Sequence, residues 1–209
     1  MTAVQALFEA AGLTPVEPVR WKSHVPTSRP GVYVVAVTAD AKASLVSSSN
    51  KCPVDEASVL ELLRVRPEAT IDGRPATAAA MCDRLELMWP RGESAVYIGR
   101  AGTSLSKRIG QFYRTRLGAR GPHAGGWPVK MLADQRNLWV HYSPCADPTL
   151  AEQLMVNAFV SGVPTPVSSA LIDPAAPLPF ANLEFPGGRR KRHGISGVKE
   201  RRPETALVS

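Results

Sequence analysis

Two tyrosines and an arginine carry the chemistry that is easiest to read in this chain. Gly31-Val32-Tyr33 and Val96-Tyr97-Ile98-Gly99 each place a tyrosine in an apolar, β-type run, and eleven residues beyond Tyr97 comes Arg108. A phenol relays a proton and a guanidinium holds a phosphate, so two strand tyrosines beside a helical arginine suit phosphodiester hydrolysis, provided that the rest of the chain supplies a metal.

The elements that must position these residues follow from the apolar spacing. Val4, Leu7, Phe8 and Ala11 recur at helical spacing within Met1 to Leu13, which reads as an amphipathic helix and not a signal peptide. A linker dense in turn formers (Pro15, Pro18, Pro26, Pro30) delivers the chain to a strand over Gly31 to Thr38. Val32, Val34 and Ala36 share one face of that strand and Tyr33, Val35 and Val37 the other, so it is expected to be central and buried on both sides. Residues 39–93 read as an insertion that opens with Ser47-Ser48-Ser49-Asn50 and holds two helices, Asp55 to Val65 and Ala76 to Met88, around the turn Asp72-Gly73-Arg74-Pro75. A second strand runs from Ser94 to Ile98. Thr103 or Ser104 then caps a helix with Leu105, Ile109 and Phe112 on one face and Arg108 beside that stripe. The third strand, Asn137 to Ser143, leads to a helix capped by Asp147, with Pro148 in its first turn, Leu150, Leu154 and Phe159 expected to face inward, and Glu152 near its start. Proline dominates from Pro164 to Pro179, ahead of Phe180-Ala181-Asn182-Leu183.

Composition bounds the rest. The chain has 209 residues, of which 44% are hydrophobic and 21% charged, ordinary values for a globular protein, and no apolar run approaches the length that spans a bilayer. Cys52, Cys82 and Cys145 are odd in number and far apart, which fits neither a disulfide framework nor a zinc site and is expected of reduced thiols in the cytoplasm. The net charge is +7, yet Gly187 to Ser209 hold seven Lys or Arg against Glu200 and Glu204, leaving only +2 for the preceding 186 residues. Residues 1–186 therefore read as one domain, with 1–29 as N-terminal helix and linker, and 187–209 as a basic, flexible tail. Arg189, Arg190, Lys191 and Arg192 are the tail's candidate phosphate contacts, the alternative being a solvated tail.

Tyr33 in Gly-Val-Tyr, Tyr97 in Tyr-Ile-Gly, Arg108 in Leu-Ser-Lys-Arg-Ile, Glu152 in Leu-Ala-Glu-Gln-Leu and Asn182 in Pro-Phe-Ala-Asn resemble, in this order, the successive motifs of the GIY-YIG nuclease superfamily. The resemblance covers roughly residues 30 to 38, 94 to 116 and 137 to 185. It implies an α+β fold, with a small central antiparallel sheet of about three core strands flanked by helices, here carrying a long helical insertion between the first two strands. It also implies an endonuclease that cleaves nucleic-acid phosphodiesters with a divalent metal, leaving a 5′-phosphate and a 3′-hydroxyl.

On that reading Glu152, a lone carboxylate, holds a single Mg²⁺ or Mn²⁺ that keeps most of its waters. Arg108 neutralises charge on the phosphate, Tyr33 takes a proton from the attacking water and Tyr97 orients water or phosphate, with these two roles exchangeable. Asn182 ties the site together by hydrogen bonds. Arg100 and Lys107 are further candidate contacts to the substrate backbone. Two departures stand out. More than fifty residues separate the two tyrosine segments, and a polar residue expected one helical turn after the arginine is Phe112. His123, in Gly121-Pro122-His123-Ala124-Gly125-Gly126-Trp127, is either the replacement or a surface loop histidine. The expected partner is DNA, duplex or branched, with a homodimer suited to cutting both strands. The competing classes are a non-catalytic nucleic-acid-binding module on the same scaffold and a globular domain whose tail binds a protein.

Overall fold

The computed structural model describes residues 2–43, 51–123 and 125–200. The first helix, α1 (Val4–Ala10), buries Val4, Leu7 and Phe8. It stops where Gly12 takes a positive φ of 67°, a conformation that suits glycine, and the amides of Gly12 and Leu13 close back on Glu9 and Phe8. Part of the expected linker forms a short strand, β1 (Val19–Arg20). The next, β2 (Gly31–Ala36), is buried at every residue. It carries Val32, Val34 and Ala36 into one core and Tyr33 and Val35 into the other, which is how a strand with no polar face must sit.

The insertion contributes α2 (Glu56–Val65), β3 (Thr70–Ile71), β4 (Arg74–Pro75) and α3 (Ala78–Glu86). Asp55 caps α2 by accepting from the amides of Ala57 and Ser58, and Thr77 caps α3 by accepting from Ala80. Between β3 and β4, Asp72 and Gly73 both take positive φ, so the expected turn is a tight hairpin. The opening Ser47 to Asn50 lies outside the described residues. The core then resumes with β5 (Ala95–Ala101), α4 (Leu105–Arg114), β6 (Trp139–Pro144), α5 (Pro148–Gly162), the short α6 (Thr165–Ser169) and β7 (Ile195–Ser196).

Among the described residues the fold is mixed α+β, with six α-helices and two antiparallel sheets. The main sheet has four strands in the order β1-β6-β2-β5, so β2 is central and β1 adds an edge beyond the three core strands expected. One face packs on α1 and α5. The other packs on α4, the insertion helices and residues 127–132. No helix among the described residues is long and apolar enough to cross a membrane.

Two expectations are corrected. Leu150 and Leu154 are 51% and 38% exposed, because α5 presents Ala151, Met155, Val156 and Phe159 to the sheet, a stripe turned by one residue from the expected one. Of the expected flexible tail, residues 187–200 are instead packed. The chain turns at Gly187 and Gly188, both at positive φ, and returns along the insertion, where β7 pairs with β3 in a second sheet ordered β4-β3-β7. Ile195 and Val198 are buried there, each contributing about 1.5–3 kcal/mol on the scale of apolar side-chain burial. Residues 201–209 lie outside the described residues.

Candidate active site

The register of β2 against β5 brings the two tyrosines together. Tyr33 lies opposite Gly99 and Tyr97 opposite Val35, so the phenols are diagonal neighbours on one face, with ring centroids 5.9 Å apart. Gly99 makes room for both, since a Cβ there would lie 2.6 Å from the Tyr97 ring and 2.9 Å from the Tyr33 hydroxyl. The tyrosines are not equivalent. Tyr33 is fully buried, whereas Tyr97 is half-buried and lines a cleft of about 1060 Å³.

Helix α4 delivers Arg108 to the same cleft. Ser104 caps it by accepting from the Lys107 amide, and Leu105, Ile109 and Phe112 anchor its buried face. Beyond the helix, the Thr115 hydroxyl donates to the Gln111 carbonyl and accepts from the His123 amide at 3.0 Å, folding the loop back over Phe112. Gly126 permits the approach, because a Cβ there would run into the Phe112 ring. His123 consequently stacks on Phe112 (centroids 4.0 Å apart, rings parallel to 1°) with Nε2 3.0 Å from the Tyr33 hydroxyl. Among the described residues its buried Nδ1 has no hydrogen-bond partner. Arg108 donates to the Pro122 carbonyl at 3.3 Å and so braces the loop.

Glu152 sits in the second turn of α5. It takes no part in a capping box, because Asp147 itself accepts from the Thr149 and Leu150 amides. Its carboxylate lines the cleft and pairs with the Arg100 Nε at 3.2 Å, while the Arg100 guanidinium also donates to the Thr149 hydroxyl. Arg100 is therefore engaged with the acidic residue and its helix. Asn182 is buried and clamps the outer edge of β5. Its amide oxygen accepts from the Ile98 N–H and its amide nitrogen donates to the Ile98 carbonyl, both at 2.8 Å, satisfying an edge that would otherwise be orphaned.

Burial dominates the electrostatics. The Tyr33 phenol is pushed far up, first by desolvation and then by Tyr97. Tyr97 is pushed up to about 12 by desolvation and Glu152, with Arg108 pulling against both. His123 is driven down to about 3, first by desolvation and then by Arg108, so its imidazole is neutral at pH 7. Desolvation also raises Glu152, opposed by Arg100 and then Arg108. Arg108 thus acts on all four groups.

The other sequence candidates divide. Arg190 and Arg192 line the cleft. Lys107 is exposed on α4 outside the cleft, and Arg189 lies over the Phe185 ring while donating to the Ala175 carbonyl. Lys191 is corrected as a phosphate contact: it is buried, and its Nζ donates to the carbonyls of Leu178, Pro179 and Phe180 at 3.0–3.5 Å. Four residues escaped the sequence reading. Thr115 and Gly126 hold the His123 loop and carried no signal beyond a Gly pair, while Arg120 and Lys199 line the cleft from segments that read as loop and tail.

Among the described residues no group of three or more His, Cys, Asp or Glu stands ready to hold an ion by itself. Of the carboxylates that line the cleft (Glu68, Glu152, Glu184 and Glu200), Glu152 is the one that acts on Tyr97 and Arg108, and it is a hard oxygen ligand that suits a Mg²⁺ or Mn²⁺ retaining most of its waters. No family model, curated protein or solved structure matches the chain.

Proposed function

We propose that the protein is a metal-dependent endonuclease that hydrolyses phosphodiester bonds in DNA, on a scaffold of the GIY-YIG type. The observation that carries the reading is the convergence of Tyr97, Arg108 and Glu152 on one cleft, with the Tyr33–His123 pair directly behind. The order of β2, β5 and β6, with α4 bearing the arginine and α5 the glutamate, supports the same scaffold.

Arg108 binds the non-bridging oxygens of the scissile phosphate and orients them for in-line attack, as a planar guanidinium does more directionally than an ammonium. Glu152 would hold a Mg²⁺ or Mn²⁺, which when bound polarises the phosphate and lowers the pKa of water. Tyr97, which faces the cleft, accepts the proton of the attacking water as its own moves to Tyr33, and the Tyr33 proton moves to Nε2 of His123. His123 resists that proton first because it is buried and then because Arg108 bears on it. A phosphate engaged by Arg108 offsets the second of these causes, which makes His123 more basic with substrate bound than without it. Of the two tyrosine assignments that the sequence leaves open, burial thus favours Tyr97 at the water and Tyr33 behind it.

Plasmid nicking in Mg²⁺ tests the proposal with wild type, Glu152→Ala and Tyr33→Phe. The reading expects nicking by the wild type and a loss of about a hundredfold or more in Tyr33→Phe, which breaks the relay. Clean wild-type protein that binds duplex and branched DNA without cutting either points to the binding-module reading.

A further inference from the structure

The same cleft extends from the candidate active site to the seam between the insertion and residues 187–200, and that seam is strongly cationic. It is also rigidly built. Besides the β3–β7 pairing, the Thr70 and Ser196 hydroxyls are 2.6 Å apart, Arg66 at the C-terminal end of α2 pairs with Glu200 at 3.0 Å, and the Glu200 amide donates to the Gly118 carbonyl. These contacts hold Lys199 half-buried in the cleft, where burial first and then Arg190 and Arg120 oppose its charge and Glu184 offsets them. The acids nearby are largely committed. Glu200 and Glu68 pair with Arg66, and Glu184 meets Arg190 at 3.7 Å in a solvent-exposed contact. Arg192 is exposed on the same wall. Cations forced together with so little compensation repel one another unless an external anion bridges them.

We infer that this seam is a second, non-catalytic phosphate-binding site, in which Arg120, Arg190, Arg192 and Lys199 grip the backbone of a DNA duplex arm while the scissile phosphate lies at Arg108. The inference rests on the proposed nuclease reading for the polyanion, and adds where and how it is held. The occupant is a duplex because, among the described residues of this wall, Trp127 is only 5% exposed and Phe185 is covered by the Arg189 guanidinium, so neither offers an open face for stacking unpaired bases. The contacts are to phosphates, so they position the substrate without reading its sequence. The insertion serves as the scaffold that fixes the basic segment in place.

The test is fluorescence anisotropy on the full chain with a labelled duplex of mixed sequence, in EDTA so that cutting does not interfere, across a salt series. The wild type is expected to bind with an affinity that falls steeply as salt rises. Combining Arg120→Ala and Lys199→Ala should weaken binding uniformly across duplex sequences and flatten the log–log salt slope by about two, near one per lost phosphate contact. Arg190→Gln with Arg192→Gln, on exposed side chains, should act in the same direction with unchanged melting, which separates lost contacts from lost folding. Affinity and slope equal to wild type in both variant pairs would overturn the inference, as would failure of the wild type to bind duplex at low salt. Binding that depends on these residues in a protein that never cuts DNA leaves the inference standing and removes the nuclease reading.

Discussion

The Tyr33 hydroxyl and the Nε2 of His123, ninety residues apart in the chain, meet at 3.0 Å in the buried interior behind the cleft. The relationship joins the central strand to the loop that follows α4, and Phe112 of that helix is the platform on which the histidine stacks.

His123→Ala is therefore expected to slow cleavage by about a hundredfold or more while leaving DNA affinity near wild type. The histidine also has a stability signature. Its folded pKa, held down to about 3 from 6.5, means that the unfolded chain binds the proton more readily. Its contribution is thus fully present above about 6.5 and is lost as pH falls toward about 3. His193, held down to about 4, and His141, also lowered, act in the same sense. Melting temperatures of wild type should decline over that window, and His123→Gln should remove part of the decline. An unchanged pH profile would contradict the buried, neutral imidazole.

Gly99→Ala tests the spacing of the phenols. The added methyl must displace the Tyr97 ring or the Tyr33 hydroxyl, since it would lie within 2.9 Å of both. A displacement approaching 1 Å at reacting groups costs about a hundredfold in rate. Cleavage should fall by about that factor with binding retained, and crystallography or tyrosine NMR of the variant should show the rings moved.

Much of this arrangement is legible in the sequence, for physical reasons particular to each element. The run Gly31–Ala36 has no polar face, so it can only be a central strand, and a cap at Thr103 or Ser104 followed by Leu105, Ile109 and Phe112 marks α4, with Ser104 the capping residue in the structure. The packed segment 187–200 is not legible in the same way. Its two buried apolar residues, Ile195 and Val198, are diluted by charge and glycine, and their partner strand, Thr70–Ile71, is far away in the chain. On α5, Leu150 and Leu154 have the right character to face inward but the wrong rotation, which only the angle of the helix on the sheet decides. For His123 the residue type was visible and its reach was not, because that depends on Thr115 and Gly126.

Lys191→Met separates the cations that bind from the one that builds. The Lys191 ammonium bridges three carbonyls in the interior, so its loss should destabilise the fold by about 1–3 kcal/mol, the cost of leaving buried acceptors unpaired. The salt slope of DNA binding should not change. Chemical denaturation and anisotropy together check the pair of outcomes.

Arg100→Ala should move the acid limb of the pH–rate profile upward. Burial raises the Glu152 carboxyl and Arg100 is the larger of the two charges that hold it down, so removing the guanidinium leaves the carboxylate ionised only at higher pH. An acid limb at the wild-type position would place control of Glu152 elsewhere.

Single-turnover cleavage of end-labelled duplex and branched DNA in Mg²⁺ tests the site as a whole, comparing wild type with Glu152→Gln, which keeps the shape of the side chain and removes its charge. Wild-type products are expected to carry 5′-phosphate and 3′-hydroxyl ends, and the variant is expected to bind DNA yet cut it about a hundredfold more slowly or worse. A wild type that cuts neither substrate, or a Glu152→Gln protein that cuts at the wild-type rate, would contradict this reading of the site.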